Sequence, residues 1–173
     1  MIHELQNALR KHTNAAVRLN HPGTDVRASV RIEAEWPRIF NALIVPEYLD
    51  VWLTMPGVER LECRAELKTL GGFRIDVFVG GAVQRAIHGA WIRSRPDEIS
   101  YLWERNRAGS AAKSLVKLRL SGGPRRCSLN LRHHGLWDQK ERDWYSMMWR
   151  ESLDKLRGIM EKRGADNASW ASI

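Results

Sequence analysis

The chain has 173 residues, with 28 Lys and Arg against 20 Asp and Glu, so its formal charge is +8. Hydrophobic residues make up 43% of the sequence, which excludes intrinsic disorder and indicates one folded domain with a sizeable core. The longest aliphatic run, Ala42 to Val45, is too short for a membrane span. Two cysteines are too few for the disulfide scaffold of a small secreted protein, so we expect a cytoplasmic protein.

The first 25 residues are predicted to be an extension of the domain. Apolar residues at helical spacing indicate a short amphipathic helix over residues 2–12, which would need something to pack on. A turn with proline and glycine follows at residues 21–24. We interpret residues 1–25 as a segment docked either on the domain or on a second subunit, in which case the protein would be a homodimer.

A strand and two short helices open the domain proper. Residues 27–33 alternate apolar and polar side chains, which is typical of a strand with one solvated face. Pro37 suits the first turn of a following amphipathic helix. Pro46 ends that helix and opens a second one, which continues to Leu53.

Alternating segments separated by glycine turns then predict about six more antiparallel strands. Their apolar faces fall within residues 61–67, 73–79, 83–95, 99–103, 116–120 and 127–133. Gly89, inside the longest segment, indicates either a bulge or a close backbone approach. Gly71-Gly72 and Gly80-Gly81 are predicted to be turn glycines.

One long helix closes the domain, which we place at residues 26–164. Asp138 is suited to cap its N-terminus, and Gly164 to end it. The tail, residues 165–173, has no periodicity and is predicted to fray. The order of elements indicates an α+β fold in which the long helix covers the apolar face of an antiparallel sheet.

Several segments also follow one another in a familiar order and spacing. They are Ser29 to Ala34, Ile39 to Leu43, Pro46 to Leu53, Gly71 to Phe73, Leu131 to Leu136, and Met148-Trp149. Together they resemble the START-like (SRPBCC) superfamily, and within it the branch of homologues of the activator of heat-shock-protein-90 ATPase. The resemblance implies a helix-grip fold: a curved seven-stranded antiparallel sheet wrapped around the long C-terminal helix, with two short helices after the first strand and a cavity between sheet and helix.

This cavity is the predicted functional site. By strand and helix parity we expect it to be lined by Trp52, Phe73, Ile75, Ile87, Trp91, Tyr101, Trp103, Leu131, His133, Tyr145, Met148 and Trp149. Their alternative role is to fill the core. His133 would hold a polar group of the ligand, or else bond to the local backbone. The family that the chain resembles commonly has a glycine at the position of Met148. The larger methionine side chain would narrow the cavity. Whether the side chains of Arg85 and Arg93 point into the cavity depends on Gly89, because a bulge there would reverse the alternation of faces along the strand.

Three functions follow as alternatives. The first is binding of a small hydrophobic or amphipathic molecule in the cavity. The second is a polyketide cyclase-like or hydrolase-like enzyme, in which His133, Tyr101 or Arg93 would be the acid or base. The third is a chaperone ATPase-activator-like partner protein, as the resemblance implies.

No cofactor or metal is predicted, because His133 and His134 are adjacent in a strand and point to opposite faces. His134 should face solvent, and Cys63 and Cys127 are predicted to be reduced core residues. The whole net charge lies in residues 61–137, which carry fourteen basic and six acidic side chains. We interpret this excess as a solvated sheet face and not as a nucleic-acid surface, since no recognition helix accompanies it.

Overall fold

The computed structural model describes residues 17–20, 23, 25–66, 71–107, 110–136 and 138–162. Within these residues the chain forms eight strands and three helices. The strands are β1 Val17–Asn20, β2 Val26–Ile32, β3 Arg60–Ala65, β4 Gly72–Val79, β5 Ala82–Arg95, β6 Glu98–Arg107, β7 Ser110–Gly123 and β8 Arg126–His134. The helices are α1 Trp36–Ile44, α2 Pro46–Trp52 and α3 Gln139–Lys162.

The strands form one antiparallel sheet in the order β1-β2-β8-β7-β6-β5-β4-β3. β2 to β8 are the seven curved strands that the sequence predicts, with α1 and α2 directly after β2 and α3 at the end. Because β2 pairs with β8 and not with β3, the two short helices carry the chain from one side of the sheet to the opposite edge. The predicted α+β helix-grip fold is confirmed.

β1 adds an eighth strand beside β2, in the segment that the sequence assigns to the N-terminal extension. Val17 pairs with Val30, and Asn20 pairs with Arg27. The predicted helix over residues 2–12 and the helix stop at Gly164 lie outside the described residues, as does the tail. Docking on a second subunit therefore stays a prediction.

The long helix α3 packs on β2 and β1 through one apolar face. That face is the stripe predicted from three- and four-residue spacing, and it consists of Tyr145, Met148, Trp149, Leu153, Leu156 and Met160, all buried. Asp138 caps the helix, because its Oδ1 accepts the backbone N–H of Lys140 at 2.8 Å. Of the helices in the described ranges, none is both long and apolar enough to cross a bilayer.

Hydrogen bonds fix the two short helices and connect them to α3. The indole Nε1 of Trp52, at the end of α2, donates to the Ala42 carbonyl of α1 at 2.7 Å. Just after α2, the backbone N–H of Thr54 donates to Ser152 Oγ at 3.0 Å, and Ser152 Oγ donates to the Thr54 carbonyl at 3.1 Å. α1 and α2 are therefore held as one unit against the long helix.

Gly89 is the site of a close approach and not of a bulge. A Cβ built on Gly89 would lie 2.1 Å from both the Phe73 ring and the Leu102 carbonyl oxygen. The strand irregularities fall elsewhere, between Val77 and Phe78 and between Trp91 and Arg93. Only glycine therefore allows the Phe73 ring to approach β5 this closely.

Candidate functional site

Four aromatic residues from three neighbouring strands cluster on the concave face of the sheet. Trp91 and Tyr101 are directly opposite each other on β5 and β6, with ring centroids 5.4 Å apart. The Phe73 ring of β4 meets Tyr101 edge-on at 5.5 Å and Trp103 at 6.1 Å. They share one face because alternate strand residues point the same way. The cluster forms one wall of a cavity.

This cavity, which we call the inner cavity, has a volume of about 20 Å³. Its lining includes half of the predicted site residues: Trp52, Phe73, Ile75, Trp91, Tyr101 and Trp103. A volume of this size is close to the minimum that holds one water molecule. The lining comes from α1, α2 and strands β3 to β6, so the inner cavity lies against the short helices and not, as expected, beneath α3.

The space beneath α3 is filled by large side chains. Trp149 of α3 and Trp103 of β6 have ring centroids 5.9 Å apart, and the Trp103 indole Nε1 donates to the Tyr145 hydroxyl at 3.0 Å. All three rings are buried, as are Ile87, Leu131 and Met148. Of these residues only Trp103 also lines the inner cavity. The others pack in the core, because rings from the helix and from the sheet meet in the middle of the expected hollow.

His133 belongs to a buried hydrogen-bond chain and does not line the inner cavity. It is fully buried, and its Nδ1 accepts the indole Nε1–H of Trp149 at 3.1 Å. With Nδ1 accepting, the ring hydrogen of the neutral imidazole lies on Nε2, which is 2.7 Å from Ser114 Oγ. Ser114 in turn donates to the Trp103 carbonyl at 3.2 Å. These hydrogen bonds connect His133 to side chains of α3 and β7. The alternative role, a bond to the local backbone, stays a prediction.

Polar groups at the inner cavity are few, and one of them is a buried donor without a partner. The indole N–H of Trp91 has no acceptor within the described part of the chain. Burial is the main cause that raises the pKa of the Tyr101 hydroxyl. Burial also raises the pKa of the Cys63 thiol, and the nearby Asp50 carboxylate raises it further. Tyr101 and Cys63 therefore stay protonated at neutral pH and can donate hydrogen bonds.

Of the two arginines that strand alternation could place toward the cavity, the structure describes the side chain of Arg85 alone. Arg85 lies opposite Val77 on the concave side, where its guanidinium is 3.9 Å from Met55 Sδ and its Cζ is 5.4 Å from the centre of the Trp144 ring. It stands at the exposed rim and outside the lining of the inner cavity. The side chain of Arg93 lies outside the described part of the structure.

The remaining lining residues were missing from the predicted site. They are Leu43, Leu49, Leu53, Cys63, Arg64 and Ala65. Alternation over residues 61–67 predicts that Cys63 and Ala65 face inward, and helical spacing predicts that Leu43 belongs to the apolar stripe of the first short helix. What the sequence could not show is that α1 and α2, and not α3, close this part of the sheet.

An open groove of about 510 Å³ lies on the outer side of the sheet, where β3 ends and β4 begins, against the middle of β5. Arg64, Ala65 and Phe73 contribute to the lining of both hollows. The register places Arg64 with Arg74 on the outer face and Phe73 with Ala65 on the inner face, so the sheet itself separates the groove from the inner cavity. The other groove residues include Arg74, His88 and two glutamates, Glu66 and Glu104. The groove is therefore polar where the inner cavity is apolar.

Comparison with known proteins agrees with this architecture. A sequence profile described as Activator of Hsp90 ATPase homolog 1-like protein matches residues 33–161. No curated protein sequence matches the chain. Similar solved structures include protein CV1439 from Chromobacterium violaceum, which is 20% identical with a TM-score of 0.69 over 80% of this chain and 97% of that chain.

Two further structures have related folds. CalU16 from Micromonospora echinospora is 20% identical, with a TM-score of 0.61 over 84% of this chain and 83% of its own. DynU16, described as a protein in the dynemicin biosynthetic locus, is 18% identical, with a TM-score of 0.64 over 81% of this chain and 48% of its own. At such identities the similarity shows a shared fold alone.

Proposed function

The chain belongs to the family described as Activator of Hsp90 ATPase homolog 1-like protein, and from that premise we propose that it binds a small, largely apolar molecule at the inner cavity. The buried part of this molecule would carry an uncharged hydrogen-bond acceptor. Of the functions predicted from the sequence, this is the one that the chemistry of the cavity supports best.

The observation that carries the proposal is the unpartnered indole N–H of Trp91 in an apolar wall. Trp91 is only 3% exposed, and an unsatisfied buried donor costs about 1–3 kcal/mol. A carbonyl or ether oxygen of a bound molecule would satisfy this donor, with the protonated Tyr101 hydroxyl as a second one. Ligand sites commonly combine apolar walls with a few such polar groups.

The size of the inner cavity means that binding must be accompanied by rearrangement. About 20 Å³ is too little for an organic molecule, whereas an apolar cavity of about 150 Å³ can hold benzene. On this proposal the described form is the closed one, and the measured association constant would equal the intrinsic one multiplied by the fraction of molecules in the open form.

Binding is better supported than the cyclase-like or hydrolase-like alternative. General base catalysis needs an unprotonated group within hydrogen-bond reach of the substrate. Tyr101 and Cys63 are held in their protonated forms, and both ring nitrogens of His133 are engaged away from the cavity. The role of a chaperone partner stays a prediction from the family resemblance.

The test uses two ligands of the same shape, 2-acetylnaphthalene and 2-isopropenylnaphthalene, of which only the first carries a carbonyl oxygen. Titration calorimetry should show that Trp91→Phe, which keeps a ring but removes the N–H, weakens binding of the ketone by about 5- to 30-fold and leaves the hydrocarbon within about twofold. The matched control is Trp144→Phe, because Trp144 is half-buried and does not line the inner cavity.

Two results would contradict the proposal. One is that neither naphthalene binds at its solubility limit or shifts the melting temperature. The other is that Trp91→Phe weakens the ketone and the hydrocarbon equally, which would mean that only the shape of the indole matters.

A further inference from the structure

We propose that molecules enter the inner cavity through the seam between α2 and the edge strand β3, and that a hydrogen bond from Cys63 to Asp50 holds this seam closed. This deepens the proposed function and rests on it, because it specifies how the same cavity is entered and what controls its opening. Asp50 acts through the position of β3 and needs no contact with the bound molecule.

The exposure of the lining residues points to this seam. The lining residues of β4, β5 and β6 are all buried, as is Leu43 of α1. Those that reach the surface are Leu49 of α2 and the neighbours Cys63, Arg64 and Ala65 of β3. Arg64 points to the outer face of the sheet, so Leu49, Cys63 and Ala65 mark the place where solvent comes closest to the inner cavity.

A carboxylate connects the two sides of the seam. β3 is an edge of the sheet, and Glu66 just after it donates its backbone N–H to Gly72 on the β4 side. Because backbone groups alternate sides along a strand, the N–H of Cys63 points to the free side, where Asp50 Oδ1 accepts it at 2.5 Å. The Cys63 thiol donates to the same carboxylate, which contributes to the raised pKa of that thiol.

Other hydrogen bonds attach the end of α2 to the other helices. Trp52 donates to the Ala42 carbonyl of α1, and Thr54 exchanges two hydrogen bonds with Ser152 of α3. Separation of α2 from β3 leaves all of these bonds in place, together with the pairing of β3 with β4. The seam is therefore a place where the inner cavity can widen without loss of these helix contacts or of strand pairing.

The size of the cavity gives this hydrogen bond a definite effect on affinity. The closed cavity of about 20 Å³ is too small for an organic molecule, so the bound form is one with an open seam. Removal of the Asp50 acceptor destabilises the closed form and leaves the bound form unchanged. The fraction of open molecules then rises, and the measured association constant rises with it. Loss of Asp50 should thus tighten binding, which is the opposite of what loss of a ligand contact does.

The first test compares Asp50→Ala with Asp50→Asn, which both lack the charge. The asparagine amide oxygen can still accept the Cys63 N–H, whereas alanine offers no acceptor. Titration calorimetry with 2-acetylnaphthalene should show that Asp50→Ala binds about 3- to 10-fold more tightly than Asp50→Asn. Glu47→Ala is the control in the same helix and should stay within about twofold of wild type, because Glu47 is exposed and does not line the inner cavity.

The second test closes the seam covalently. Asp50→Cys places a second thiol against that of Cys63, because the Asp50 carboxylate and the Cys63 thiol are hydrogen-bonded. Formation of the disulfide, verified by mass spectrometry, should weaken binding of 2-acetylnaphthalene by about tenfold or more, and its reduction should restore binding. Wild type carried through the same oxidation and reduction is the control, since its other cysteine, Cys127, is fully buried on β8.

The outcomes separate the entrance from the proposed function. Near-ultraviolet circular dichroism and cooperative melting identify the variants that keep native packing, and the oxidised and reduced forms of Asp50→Cys decide if Asp50→Ala does not fold. Binding of 2-acetylnaphthalene by neither wild type nor any folded variant would overturn the proposed function. Equal binding by oxidised and reduced Asp50→Cys, or binding by folded Asp50→Ala no tighter than by Asp50→Asn, would overturn the entrance alone.

Discussion

At the residue scale, Asp25 is the acidic group that organises the outer face of β2 and β8. Arg132 donates to its Oδ2 through Nε at 2.8 Å, and His134 Nδ1 is 3.2 Å from its Oδ1. Burial opposes ionisation, but the hydrogen bond from Arg132 and the neighbouring charges hold the pKa of Asp25 below its ordinary value of 3.8. His134, which was expected to face solvent, is half-buried, and that burial lowers its pKa while Asp25 partly offsets the effect.

We expect Asp25→Asn to destabilise the protein by about 1–2 kcal/mol at pH 7, since it removes a charge-assisted bond to a half-exposed arginine. The pKa of Asp25 is lower when folded, so its contribution is complete above about pH 5 and is lost as the pH falls through the folded pKa. Urea denaturation of both proteins should therefore show a difference that disappears at low pH.

The same variant should lower the pKa of His134 further, because the carboxylate that raises it is gone. A histidine titration followed by nuclear magnetic resonance measures this directly. Asp154→Asn is the control, since Asp154 is exposed and its ion pair with Arg157 is 3.8 Å long. An unchanged His134 pKa, or a stability difference that persists at pH 2, would contradict the assignment.

At the element scale, β5 and α3 each carry a glycine, and the two glycines have opposite requirements. Gly89 in β5 cannot accept a Cβ without moving the Phe73 ring and the Leu102 carbonyl, whereas a Cβ on Gly158 in α3 meets nothing within 4 Å. The space around each glycine therefore predicts whether its replacement by alanine lowers or raises the free energy of unfolding.

We expect Gly89→Ala to cost about 2–4 kcal/mol, because a clash with backbone cannot be relieved by a side-chain rotation alone. Gly158→Ala should instead stabilise the protein by about 0.5–1 kcal/mol, since alanine loses less conformational entropy in a helix interior. Equilibrium denaturation of the two variants tests the pair. If Gly89→Ala were neutral, the close packing of Phe73 over β5 would be wrong.

At the scale of the whole molecule, one pair of hydrogen bonds connects the long helix to the two short ones. Ser152 is fully buried in α3 and both accepts from and donates to the backbone of Thr54, next to α2. This contact spans 98 positions of the sequence. It therefore fixes the position of the short helices that close the inner cavity.

We expect Ser152→Ala to destabilise the protein by about 1–3 kcal/mol, because the Thr54 N–H loses its acceptor in a partly buried place. Ser146→Ala is a matched control in the same helix. The Ser146 hydroxyl donates to the Arg142 carbonyl one turn earlier, so its loss should cost less than about 1 kcal/mol. Equal midpoints of urea denaturation for both variants would show that the connection to Thr54 contributes nothing.

How far the sequence could predict this protein differs between the fold and the site. Alternation with a period of two identified the strands from β2 to β8, and Asp138 marked the start of α3 correctly. The twelve predicted site residues are all buried. Parity along an element determines which residues face inward, so the inward-facing set could be predicted without coordinates.

Which of these residues line a cavity was decided only by the tertiary structure. Trp103, Tyr145 and Trp149 come from β6 and α3, and their rings fill the space beneath the long helix. Trp103 also borders the inner cavity, as Trp91 and Tyr101 do, under α1 and α2. A cavity is the small difference between the space enclosed by several elements and the volumes of their side chains. Since those elements are distant in the chain, no local pattern contains that difference.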